Sequence, residues 1–182
     1  RLFFVPGTYG HGGKASFIAE SRMPADLENG KTPADWQTMS NCPSIYKLTD
    51  KQGKERVFVF SAWPDMPMTY SEDGGKSWSP VRSLNKLGDG VFSIVKLKNG
   101  DYLGLYHRGQ NDRDRPPLTL WQSVSHDGGL TWSESVKVGE MEGVHPVNLV
   151  FRAPDGKRLV CVARENNRVG NSLMMFSDDE GT

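Results

Sequence analysis

Apolar and polar residues alternate in short runs along most of the chain, and the runs come in sets. Alternation with period two marks half-buried strands, because successive side chains of a strand point to opposite faces. Three runs open the sets: PSIYKL from Pro43, FSIVKL from Phe92 and PVNLVF from Pro146. Each leads into a polar turn, DKQGK, KNGD or PDGK. Asn99-Gly100 and Asp155-Gly156 tolerate positive φ, so these turns predict tight hairpins. A second strand is expected at 56–62, 102–108 and 158–164, a third at 67–71, 118–125 and 172–177, and a fourth at 78–84 and 132–138. Each set thus has four strands, here termed A to D. No segment makes a convincing helix. The start of the chain fits the scheme without an A strand: 1–8 as B, 15–21 as C and 36–39 as D, with RMPADLENGKTPADW as a degenerate turn.

The turn between C and D carries a repeated box. SEDGGKSW begins at Ser71, SHDGGLTW at Ser125, and SDDEGT opens a third copy at Ser177, so the spacings are 54 and 52. A repeat of roughly 50 residues filled with short strands indicates propeller blades. The expected fold is all-β: about three and a half four-stranded blades of one propeller domain, in pieces near 1–39, 40–86, 87–140 and 141–182. A partial ring would leave long sheet edges, which natural proteins avoid, so further blades are expected in the parent protein. The box residues suit a pinned hairpin. Gly75, Gly129 and Gly181 supply backbone freedom. Asp73, Asp127 and Asp179 can accept hydrogen bonds from turn amides. Ser71, Ser125 and Ser177 offer hydroxyls, and Trp78 and Trp132 are large apolar plugs. The acids do not follow the spacing of a calcium-binding EF-hand loop.

Composition changes this picture little. With 22 Lys plus Arg against 22 Asp plus Glu among 182 residues, nothing draws the chain as a whole to nucleic acid or an anionic membrane. No apolar run has the length of a membrane-spanning helix. Cys42 and Cys161 match no metal-binding spacing and read as buried thiols. The first residues, RLFFV, already look like part of a strand, so the chain reads as a piece of a longer one.

The pattern S-x-D-x-G-x-[ST]-W resembles the Asp-box, or BNR repeat, of the sialidase (neuraminidase) superfamily. Two full boxes and a partial third, in blade register from Pro43 onward, carry the resemblance. It implies a six-bladed propeller, and an exo-glycosidase that removes a terminal acidic sugar from a glycan. Sialidases grip the substrate carboxylate with an arginine triad, and use an aspartic acid/base and a tyrosine nucleophile activated by a glutamate. The fourth unit, VHPVNLVFRAPDGKRLVCVAREN, is similar to a sialidase blade in which glutamate-proline opens strand A and a triad arginine closes strand B. Arg164 matches that arginine. His145 stands where the glutamate would be, which removes the usual partner of the tyrosine. A histidine can act as a base near neutral pH. The R-I-P strand of the first triad arginine and a clear nucleophilic tyrosine are not visible in the chain. The resemblance also suggests a secreted or periplasmic setting, no cofactor and no catalytic metal.

Strand order sorts the loops by face. In a four-stranded meander the boxes share one end with the A–B turns, and the B–C loops lie at the other. At that other end Arg108 lies eight residues past Gly100, and Arg164 eight past Gly156. The same count gives Ser61 in the second unit, and Gly7 fills the place in the first. An arginine present in two units and absent from two suggests a site rather than architecture. Planar guanidinium groups suit a carboxylate ligand. Arg113, Arg115 and Arg168 lie in the same loops. The expected site is therefore His145 and Arg164 as catalytic residues, with Arg108, Arg164, Tyr106, Asn166 and Arg168 binding substrate. Tyr106 shares strand parity with Arg108, and His107 does not. Arg22 and Asp26 faintly resemble the first sialidase blade but read more simply as strand and turn. Trp63, Asp65 and His11 are weaker candidates, and Met66 and Met68 read as packing. GTYGHGGK resembles a phosphate loop but lacks the Ser/Thr after Gly-Lys and leads into a strand. Two other readings remain: a non-catalytic propeller that binds carbohydrate or protein, and a hydrolase or lyase for another acidic sugar such as a uronate.

Overall fold

A computed structural model describes residues 15–16, 38–39, 43–61, 66–84, 93–108, 118–142, 144–165 and 172–182. Twelve β-strands and no helix occur among them. β1 (Ala15–Ser16) pairs with β2 (Thr38–Met39), the expected C and D strands of the first unit. The second unit forms a three-stranded sheet of β3 (Ser44–Thr49), β4 (Glu55–Phe60) and β5 (Met68–Ser71). The third forms a four-stranded sheet of β6 (Ser93–Lys96), β7 (Tyr102–Arg108), β8 (Thr119–Ser125) and β9 (Val136–Glu142). The fourth contains β10 (Val144–Arg152), β11 (Leu159–Glu165) and β12 (Ser172–Ser177). Every pairing is antiparallel and sequential, as in a meander. Sheets of three and four antiparallel strands in this order fit part of a β-propeller-like fold. The fourth strand expected at 78–84 is reduced to a bridge between Met68 and Arg82, and β9 starts at Val136 rather than at Trp132.

The sheets stack through their faces. β7 is buried from Tyr102 to His107 because it is an inner strand covered on both sides, which explains its near-continuous apolar run. Tyr102 and Tyr106 pack toward the second sheet with Leu48, Phe58, Phe60 and Met68. Leu103 and Leu105 point the other way, toward Leu159, Val150 and Cys161 of the fourth sheet. Cross-sheet hydrogen bonds fix the stacking. The Tyr102 hydroxyl donates to the Thr49 carbonyl (3.0 Å) and accepts from the Thr49 amide (2.9 Å). The Val150 amide donates to Ser93 Oγ at 2.9 Å, and Ser93 also meets the Tyr46 hydroxyl, so the A strands of three successive sheets are tied in a row.

All three boxes share one wiring. The serine hydroxyl donates to the box aspartate (Ser71–Asp73 2.8 Å, Ser125–Asp127 2.9 Å, Ser177–Asp179 2.7 Å). The same hydroxyl accepts the glycine amide: Gly75 at 2.7 Å, Gly129 at 2.8 Å and Gly181 at 2.7 Å. In the complete boxes the aspartate also takes the amide and hydroxyl of Ser77 or Thr131. Those bonds hold the Asp73 carboxyl well below the usual carboxylate range. Gly129 has φ +101°, and a Cβ there would come within 2.5 Å of Leu48 Cδ1, so only glycine lets this hairpin dock on the neighbouring sheet.

Candidate functional site

The A–B turns and the boxes meet at one end of the sheets, where ion pairs join neighbours. Lys51 of the second unit reaches Asp101 of the third at 2.7 Å, and His126 Nδ1 lies 2.9 Å from the same carboxylate. Arg152 grips Glu180 of the third box through two bonds of 2.7 Å, and the Lys98 amide adds a third at 2.9 Å. The Arg152 guanidinium holds the Glu180 carboxyl down to about 2. Arg56 spans Asp50 and Glu72, and Arg158 pairs with Asp178 in two-bond fashion. This end is occupied with closing the structure.

The candidate site lies at the opposite end, where β7, β8, β10, β11 and β12 stop. Arg164 stands across from His145 on β10 and from Ser172 on β12. The register thus brings the fourth unit's arginine and histidine into one cross-strand pair. Arg164 is exposed and makes no ion pair with the described residues. Arg108, half-buried, stacks its guanidinium over the Trp121 ring with 4.6 Å to the centroid. The Trp121 indole donates to Thr119 Oγ1 at 2.8 Å, and Thr119 pairs with Arg108 across the strands. Trp121 escaped the sequence reading. Its signal was diagonal cross-strand placement: it pairs with Tyr106, two residues from Arg108, within reach of a long side chain.

The two arginines are not equivalent positions. The box serines fix the comparison, since Tyr102 pairs with Ser125 and Leu159 with Ser177. Counted from those pairs, Arg164 matches His107, and Arg108 matches Glu165. The equal spacing from Gly100 and Gly156 misleads because the β10–β11 turn holds one more residue than the β6–β7 turn: Ala153 closes on Arg158, Leu97 on Asp101. A slip of one residue moves a side chain to the other face of its strand. Arg108 therefore lies on the side facing the second sheet, and Arg164 on the side away from the third. His107, at the place matching Arg164, is 5% exposed and lies on the face of β7 that packs Leu103 and Leu105 against the fourth sheet.

Tyr106 is fully buried among Phe58, Phe60 and Ile94, and its hydroxyl donates to Ser135 Oγ at 2.6 Å. Burial pushes its phenol upward. Met66 and Met68 are core residues, 0% exposed, and Cys161 is a free, buried thiol. Asn166, Arg168, Arg113, Arg115, Trp63, Asp65, Arg22, Asp26, His11, Gly7 and Cys42 lie outside the described residues, as does the His145 side chain.

No protein-family model matches the chain, and no curated protein matches it in sequence. Solved structures do match its fold. A protein of unknown function from Dyadobacter fermentans superposes with a TM-score of 0.58 at 16% identity, over 98% of this chain and 65% of that one. A Hadza microbial sialidase gives 0.52 at 16% identity, over 83% and 40%. An α-L-arabinofuranosidase from Podospora anserina, in complex with cellotriose, gives 0.53 at 10% identity, over 96% and 58%. This chain thus spans less than two thirds of each. At such identities the likeness is one of fold, and enzymes of differing chemistry share it.

Proposed function

We propose that the chain is part of a sialidase-like glycoside hydrolase that acts on a terminal acidic sugar of a glycan. The observation that carries this reading is the state of Arg164. Among the described arginines, Arg56, Arg152 and Arg158 are bound to carboxylates, Arg82 bonds the Leu130 carbonyl, and Arg108 lies on Trp121. Arg164 has no carboxylate partner in this set and sits at the end away from the boxes, beside the strand position of His145. A planar guanidinium so placed can take a substrate carboxylate through two parallel hydrogen bonds. Arg108, Asn166 and Arg168 would add further contacts, and His145 would accept or hold a proton near the reacting sugar.

A six-bladed ring suits this reading. The far face of the fourth sheet leaves Leu149, Phe151, Met174 and Phe176 exposed, whereas the matching face of the third sheet is covered. In a completed ring Arg164 would sit at the mouth between the fourth sheet and its next neighbour. A second reading, a non-catalytic glycan-binding propeller, is favoured by His145 in place of a glutamate.

The test is titration with 3′-sialyllactose against lactose, with product release followed in parallel. The hydrolase reading expects sialyllactose to bind and be cleaved, and Arg164→Ala to weaken both. Binding without cleavage selects the second reading. No preference for sialyllactose over lactose, or an unchanged Arg164→Ala variant, defeats the carboxylate role.

A further inference from the structure

The groove between the third and fourth sheets buries an ionisable residue that the sugar reading does not use. His107 on β7 is 5% exposed. It shares its face of the strand with Leu103 and Leu105, which pack on Leu159, Val150 and Cys161 of the fourth sheet. An imidazole in such surroundings needs hydrogen-bond partners, because a buried polar group left without one is destabilising.

The fourth sheet brings an acid to the same height. Leu159 and Cys161 mark the face of β11 that meets the third sheet, and strand alternation places Ala163 and Glu165 on that face. Counted from the box serines, with Tyr102 opposite Ser125 and Leu159 opposite Ser177, the level of His107 falls between Ala163 and Glu165. Facing sheets lie roughly 10 Å apart, a gap that a histidine and a glutamate reaching from opposite sides can close. The neighbours that register brings to this level are apolar: Leu120 pairs with His107, Leu173 with Ala163 and Val144 with Glu165. Cys161 is the next titratable group on this face, nearer the boxes, and burial pushes its thiol up to about 11, outside the range in which an imidazole changes charge. Arg108 and Arg164 lie on the opposite faces of their strands. In the preceding groove the place of Glu165 belongs to Arg108, which lies on Trp121. The histidine–glutamate combination is therefore particular to this groove and no repeat of the blade.

We propose that His107 and Glu165 form an imidazole–carboxylate pair across this groove, and that the pair fixes the end of β11 from which Arg164 is presented on the other face. Glu165 follows Arg164 directly, so a carboxylate anchored on one side of the strand restrains the backbone that carries the guanidinium on the other. A ligand then meets a donor set already in place and spends less of its binding energy on ordering it. His107 and Glu165 are positioning residues in this arrangement. The presentation of Arg164 rests on the sugar reading, and the pair itself does not.

The experiment follows the ring nitrogens of the four histidines by ¹⁵N NMR as pH is varied, in the parent chain and in Glu165→Gln. The His107 signal is assigned through His107→Gln or, if that variant does not fold, by elimination with His11→Gln, His126→Gln and His145→Gln. A neighbouring carboxylate favours the charged imidazole, so Glu165→Gln should lower the His107 midpoint by roughly one pH unit or more. A contribution to packing alone would not move that midpoint. On the same samples, Glu165→Gln should weaken 3′-sialyllactose binding roughly 3- to 10-fold, the range for a residue that acts on a site through its neighbours. A His107 midpoint indifferent to Glu165→Gln overturns the pair. A shifted midpoint with unchanged affinity overturns the presentation of Arg164. Absence of sialyllactose binding in every version defeats the sugar reading, and the midpoint still supports or overturns the pair.

Discussion

The two ends of the sheets are built on different terms. At the box end, polar groups are consumed by one another: Asp127 by Ser125 and Thr131, Glu180 by Arg152 and Lys98, Asp101 by Lys51 and His126. At the other end Arg164 meets no carboxylate among the described residues, and Arg108 rests on an aromatic face. A group whose hydrogen bonds are spent on closing hairpins has little left for a ligand, and a guanidinium that meets no carboxylate among the described residues keeps donors for one. The box end is most vulnerable at Trp132, whose ring packs on Phe60. Trp132→Ala should lower stability by about 3 kcal/mol, the loss expected for truncating a packed aromatic ring. Chemical denaturation reads this. The folded variant should still bind 3′-sialyllactose like the parent, and lost affinity in the folded protein would mean that the box end reaches the ligand.

The converse belongs to Arg164. Losing a two-bond contact to a charged group costs about 1.5–3 kcal/mol, so Arg164→Ala should weaken sialyllactose binding by up to roughly 100-fold. Its unfolding free energy should stay within about 0.5 kcal/mol of the parent, as for exposed positions without packing roles. Isothermal titration and denaturation on one sample separate the two. A variant that loses stability and keeps affinity would move Arg164 into the framework.

This division explains what could be read from the chain alone. Alternation and hairpin dipeptides located β7 and β12 to the residue, because local chemistry determines them. The boxes were legible for the same reason, since Ser125, Asp127, Gly129 and Thr131 satisfy one another within seven residues. The site was less so. Aligning Arg108 with Arg164 relied on distance from a turn glycine, and one extra turn residue between Ala153 and Arg158 reversed the face. Tyr106 shares parity with Arg108, but parity specifies a face and not its exposure, and the second sheet covers that face. Trp121 was missed because its link to Arg108 depends on the register of β7 against β8, which no local pattern encodes.

Acid should sharpen the difference between the ends. Glu180 is held down to about 2 from an ordinary 4.5 by the Arg152 guanidinium. A carboxylate lowered in the folded state contributes fully above its unfolded value and loses that contribution as pH falls through the folded one. Stability should therefore decline from about pH 4.5 toward pH 2, and Glu180→Gln should make that decline shallower. Thermal unfolding across this range checks the sign. An acid limb identical in parent and variant would show that the Arg152–Glu180 pair adds nothing to the fold.

The change at Arg108 should be small, because it stands at the end away from the boxes while engaged with Trp121. A guanidinium over an indole at a partly exposed site contributes about 0.5–1 kcal/mol. Arg108→Gln removes that charge, and Trp121→Leu removes the ring from beneath it. If the stack is framework alone, the two single variants lose similar stability, the double variant loses little more, and affinity for sialyllactose does not move. If the stack instead aims Arg108 at a carboxylate, Trp121→Leu weakens binding as well, through an arginine that is still present but no longer held. A double-mutant cycle read in both stability and affinity tells these apart, since only an arginine positioned for a ligand gives coupling in both.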